Sequence, residues 1–128
     1  MKTHYSLCVP ELAAALDFYI EVLGGTFILR EGSSGHVGID GNHIVLHEIP
    51  SYRWVQIGQE PSGAPIPHFG LITTNDRYAG ILRAAQARTC VLIDETRRRA
   101  GTKFDHVCFF VSDPGGHPWE IKKYLSAR

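Results

Sequence analysis

The chain has 128 residues, enough for one domain or for two small modules around a shared core. Hydrophobic residues make up 44% and charged residues 20%, a balance that excludes disorder, a collagen-like repeat and a membrane protein. Lys plus Arg (13) equals Asp plus Glu (13), so the basic excess of a nucleic-acid binder is missing. No apolar run approaches the roughly 20 residues needed to span a bilayer. Met1 to Leu7 lacks the apolar core of a secretory leader, which points to a cytoplasmic protein. Cys8, Cys90 and Cys108 form neither a CxxC motif nor a disulfide framework. Cys8 and Cys108 sit in apolar strand-like runs, where a buried small hydrophobe is expected.

Residues 4–9 read as a strand. A helix follows from Pro10, which suits an early helical position, with Leu12, Leu16, Tyr19 and Leu23 at helical spacing. Gly24-Gly25 ends it. Strands are expected over 26–31, 36–39 and 43–49, with turns at Gly32 to Gly35 and at Asp40-Gly41-Asn42. Residues 50–67 carry four prolines and read as a linker; Trp54, Val55 and Ile57 lie within it, so part of it is expected to pack. The order then repeats. A strand at 68–73 leads to a helix capped by Asn75 or Asp76, with Tyr78, Ile81, Leu82 and Ala85 on its apolar face. Strands at 90–93, 104–111 and 118–124 complete the chain, with a charged loop over 94–103 and a tight turn at Asp113 to Gly116.

Each half therefore reads βαβββ, as module 1–50, linker 51–66 and module 67–128. The fold class is α+β, with two modules forming a curved mixed-sheet cup. The halves share landmarks. His4 opens the first and His68 the second. His47 lies seven residues after Asp40, and Glu120 seven after Asp113. These four residues form a candidate set for one divalent metal: imidazoles and a carboxylate suit Fe(II), Zn, Ni or Mn and leave positions open for substrate. Strand alternation puts Glu120 on one face with Lys122 and Tyr124, and Trp119 and Ile121 on the other.

The order of these segments resembles the vicinal oxygen chelate superfamily of glyoxalases, extradiol dioxygenases, fosfomycin-resistance and bleomycin-binding proteins. The matching stretches are His4 to Leu12, Asp17-Phe18-Tyr19, Val22-Leu23-Gly24, Pro65 to Leu71, Phe109 to Gly116 and Trp119 to Lys122. Carried over, the family's ligands fall on His4, His68 and Glu120. The first module's last-strand position falls on His47, a position that is not a ligand in every member. Glu48, its neighbour, lies on the opposite strand face. The resemblance implies a metal-dependent enzyme acting on a small substrate with adjacent oxygens. It would be a dioxygenase, or a glyoxalase-like isomerase or lyase with Glu120 as proton shuttle. Tyr124 shares Glu120's strand face, where it suits either a hydrogen bond to a metal-bound oxygen or a cover for the core edge. It also implies a homodimer, with neither nucleic acid nor membrane as a partner. The competing class is a non-catalytic drug- or metabolite-binding protein. Among the other histidines, His43 shares a face with His47 and suits a supporting or an exposed role. His36 and His106 are expected as strand or surface residues, and His117 as a solvated turn residue. Arg97-Arg98-Arg99 reads as a solvated loop in preference to an anchor for an acidic substrate.

Overall fold

The computed structural model describes residues 2–125. The chain divides into two compact units. Unit 1 comprises residues 1–54 with 113–116, and unit 2 comprises residues 55–112 with 117–128.

In unit 1, β1 (Thr3–Val9) leads to α1 (Leu12–Asp17), a π-helical turn over Phe18–Val22, then β2 (Thr26–Glu31), β3 (Ser34–Ile39) and β4 (Asn42–Glu48). The sheet order is β1-β4-β3-β2, with β1 parallel to β4 and the other pairs antiparallel. Alternation splits this sheet into two chemistries. Val37, Ile39, Ile44 and Leu46 are buried with Leu12, Ala15, Phe18, Tyr19 and Val22 of the helical segment. The helix starts at Leu12 and not at Pro10. Glu11 is its N-cap residue, and the Glu48 carboxylate accepts the Leu12 N–H at 2.8 Å. A carboxylate here satisfies an orphan helix donor and complements the helix dipole.

The π turn has no signal in the sequence periodicity. Leu23 N–H reaches back to Phe18 C=O at 3.1 Å, so one extra residue enters the turn and the neighbours Phe18 and Tyr19 both become buried. Tyr19 Oη then donates to Asp113 Oδ2 at 2.6 Å. Gly24 takes φ +76°, and Gly25 passes so close to the sheet that a Cβ would lie 2.5 Å from Val37 Cγ1. The expected turn at Gly32 to Gly35 is shorter, because Ser34 and Gly35 already pair with β4. Asp40 and Gly41 (φ 51° and 80°) make the two-residue hairpin turn.

In unit 2, the expected linker holds a small hairpin, β5 (Gly58–Gln59) with β6 (Pro65–Ile66). Then come β7 (Phe69–Ile72), α2 (Asn75–Ala87), β8 (Val91–Arg98), β9 (His106–Ser112) and β10 (Pro118–Tyr124). The sheet order β7-β10-β9-β8 repeats that of unit 1. The α2 N-cap is Thr74, not Asn75 or Asp76. Strand β8 runs through the charged residues to Arg98, correcting the loop expected over 94–103. It lies at the sheet edge and pairs with β9 alone, so polar side chains there reach water without breaking a ladder. The apolar face of α2 meets the sheet at Phe109, whose ring lies 5.1 Å from that of Tyr78. On the opposite face Ala64, Cys108 and Phe110 form a smaller cluster with Ile93.

Candidate metal centre

The β9–β10 hairpin sets the geometry in unit 2. Its register pairs Glu120 with Phe110, Lys122 with Cys108 and Tyr124 with His106. Paired residues share a face, so His106, Cys108, Glu120, Lys122 and Tyr124 lie together, while Trp119 and Ile121 are buried on the other side. The expected alternation of the last strand is present. His68 sits one residue before β7. Its Nδ1–H donates to the Pro65 carbonyl at 2.7 Å, which fixes the tautomer and leaves the Nε2 lone pair facing Glu120 Oε1 at 3.6 Å. His106 is arranged the same way. Nδ1–H donates to the Phe104 carbonyl at 2.7 Å, and Nε2 lies 4.0 Å from Glu120 Oε2. Among the described residues that Nε2 has no hydrogen-bond partner, and it is buried, on a residue only 4% exposed. Such an orphaned atom is costly once buried.

His106, Cys108 and Glu120 offer ligand atoms all within 4.8 Å of one another. Metal–ligand bonds of about 2.0–2.2 Å at tetrahedral angles put N and O donors roughly 3.4 Å apart. The separations around Glu120 are close to this, and backbone carbonyls already orient both imidazoles. The residues fit a divalent cation. Cys108 is better suited to a supporting role. Burial pushes its thiol up, the Arg98 guanidinium opposes this in part and Glu120 adds to it, and the sulfur already accepts an N–H from Arg98 at 3.3 Å.

Lys122 Nζ lies 3.7 Å from Glu120 Oε1, and the Tyr124 ring packs edge-on against His106 at 5.7 Å. A cavity of about 570 Å³ opens over this group, lined among others by Glu60, His68, Arg98, His106, Glu120 and Lys122. His106 is a strand residue as expected, the first of β9, but it is buried beside Glu120 and not at the surface. His117, expected in solvent, is buried too, with its ring 6.0 Å from Phe69.

The polar face of the unit 1 sheet carries histidines. His4, exposed near the start of β1, stands opposite His43, and their rings meet edge-on at 5.0 Å. His43 Nε2 and His36 Nδ1 share a hydrogen bond of 2.8 Å, and His36 Nε2 lies 3.4 Å from Glu31. Burial, then the nearby His4 and His36, lowers the His43 pKa. His47 stands opposite Cys8, four positions along the strand from the His4–His43 pair, and shares a 2.9 Å hydrogen bond with Ser34. His4 and His47 both line a shallow cavity with Glu31, Ser34, His36 and Val45. Cys8 is half-buried rather than fully buried.

The family model for the glyoxalase/bleomycin resistance protein/dioxygenase superfamily matches residues 3–121. A solved glyoxalase/bleomycin resistance protein/dioxygenase from Alicyclobacillus acidocaldarius is similar at 25% identity and TM-score 0.74, covering 96% of this chain and 90% of its own. The fosfomycin resistance protein FosX of Listeria monocytogenes shares the fold at 17% identity and TM-score 0.70, with 94% and 89% covered. So does a lactoylglutathione lyase from Agrobacterium tumefaciens, at 17% identity and TM-score 0.63, with 96% and 92% covered. No curated protein matches the sequence significantly. Among the described residues no helix is long and apolar enough to cross a membrane. Two βαβββ units and a family match across nearly the whole sequence place this chain in the glyoxalase/bleomycin resistance protein/dioxygenase superfamily.

Proposed function

We propose that the chain is a cytoplasmic metal-dependent enzyme that binds adjacent oxygens of a small substrate at one divalent ion. His68, His106 and Glu120 hold the ion. His4 and His47 join them by family resemblance. The observation that carries this reading is the buried, unpartnered Nε2 of His106 beside Glu120. A divalent ion held there would polarise substrate oxygens and stabilise developing oxyanion charge. Glu120, with Lys122 Nζ at 3.7 Å, is the carboxylate suited to move a proton, and Tyr124 is the hydroxyl suited to hydrogen-bond the reacting oxygens. Four or more protein donors favour a redox-inert Zn, Ni or Mn and a glyoxalase-like isomerase or lyase. Fe(II) and ring-cleaving dioxygenation form the second branch.

A homodimer belongs to the same proposal. β2 is an edge strand that leaves Phe27 (50%), Ile28 and Leu29 exposed, an apolar edge that a second copy would cover.

The test is metal content of protein purified without chelator, followed by a substrate screen. One ion per chain in the wild type, lost in His68→Ala and in His106→Ala, is expected. Thiol adducts of 2-oxoaldehydes would be tried first on a Zn, Ni or Mn protein, and catechols with oxygen uptake on an iron protein. A protein that takes up no metal even after reconstitution would instead be a binding protein.

A further inference from the structure

The cavity over Glu120 carries an excess of positive charge that the metal reading does not use. Three arginines follow one another at the end of β8, and each has a different fate. Arg97 is neutralised: its Nε and Nη2 grip both oxygens of Asp105 at 3.0 and 2.7 Å, and it is not part of the cavity wall. Arg98 and Arg99 do line the cavity. Among the described residues the Arg98 guanidinium is held by Cys108 Sγ at 3.3 Å and the Ser62 carbonyl at 3.5 Å, and by no carboxylate. It is oriented without being discharged. Arg99 adopts φ 53°, and its carbonyl accepts the Thr102 N–H and hydroxyl at 3.2 and 2.7 Å, so the backbone at the cavity wall is fixed. Lys122 supplies a third cation. The carboxylates of this wall are Glu60 and Glu120, and Glu120 is committed to the metal in the proposal above.

Cations gathered this way repel one another and any bound divalent ion. The arrangement is stable only in water or against an anion. A guanidinium with free N–H groups in a fixed plane matches the paired oxygens of a carboxylate or phosphoryl group. We infer that the substrate carries a separate oxyanion, a carboxylate or phosphoryl group, bound by Arg98 and Arg99 with Lys122 while its adjacent oxygens face the metal. The placement of the adjacent oxygens rests on the proposed metal function, and the oxyanion site rests on the cavity's own charges. Arg98 and Arg99 are specificity-determining residues in this account.

The test titrates methylphosphonate and acetate into the protein as purified, with metal content measured on each sample. Saturable binding of one of the two per chain is expected, and which one binds tells phosphoryl from carboxylate recognition. Arg98→Ala and Arg99→Gly should each weaken it by about tenfold or more with metal content unchanged. Arg98→Lys, which keeps the charge and loses the fork, should fall between, and guards against misfolding of the alanine variant. Arg97→Ala should bind as the wild type does. Wild-type affinity in both Arg98→Ala and Arg99→Gly would overturn the inference, as would no binding of either probe. A wild type without metal but with arginine-dependent binding would contradict the metal reading and leave the oxyanion site standing.

Discussion

His68 and Glu120 of unit 2 approach to 3.6 Å, while in unit 1 His47 lies four residues along the sheet from the strand position of His4. The two sheets have the same strand order and the same parallel pairing of first and last strands. When they are matched on His4 and His68, the registers Ser6–Val45 and Gly70–Glu120 coincide. Val45 therefore stands where Glu120 does, and His47 matches Lys122. Unit 1 presents imidazoles that bond one another and Glu31. Unit 2 presents imidazoles locked by backbone carbonyls and aimed at a carboxylate. Shared topology sets which face is polar, and single register positions set what that face can bind.

The sharpest way to break this contrast is Glu120→Ala. It should abolish stoichiometric metal binding and leave a folded protein, whereas His36→Ala and His43→Ala should retain the metal; elemental analysis reads all three. Phe109→Ala, behind the same sheet, should destabilise by about 3–5 kcal/mol through the cavity it leaves, seen in chemical denaturation. Tyr19→Phe probes the π turn of unit 1. It removes the hydrogen bond from Tyr19 Oη to the Asp113 carboxylate and should cost about 1.5–3 kcal/mol, with metal content unchanged.

The smallest effect is expected in acid. The Arg97 hydrogen bonds hold the Asp105 carboxyl below its ordinary value, with the Gly101 N–H and the Arg97 charge adding to this against burial. A carboxyl lowered by folding contributes stability above its unfolded pKa and loses it as pH falls through the lower folded value. Asp105→Asn should flatten that acid limb of the denaturation midpoint against pH, and a limb unchanged by the substitution would remove Asp105 from the account.

Much of this was legible in the sequence. Strand alternation placed Trp119 and Ile121 in the core and Glu120 on the polar face, and the repeated βαβββ order gave the architecture. Counting seven residues from each turn aspartate paired His47 with Glu120, but the turns differ in length. Ile39 pairs with Asn42 across a two-residue turn, and Ser112 pairs with Pro118 across five. Equal counts therefore fall on unequal registers. His106 and Cys108 were missed although a signal existed. Centring the hairpin on Gly115 opposes residues whose numbers are symmetric about it, which brings 106 against 124 and 108 against 122. The start of β8 was expected at 90–93, but its charged continuation was missed because its outer edge lies in water, so its side chains carry no two-residue apolar rhythm past Ile93. The tautomer locks of His68 and His106 depend on carbonyls of Pro65 and Phe104, which no side-chain pattern announces.

The most direct test of the central claim is anomalous diffraction from crystals of the protein as purified, collected at the absorption edge of the metal found. A peak about 2.0–2.2 Å from Nε2 of His68, Nε2 of His106 and a Glu120 oxygen is predicted. A peak on His36 and His43 with none beside Glu120 would contradict the account.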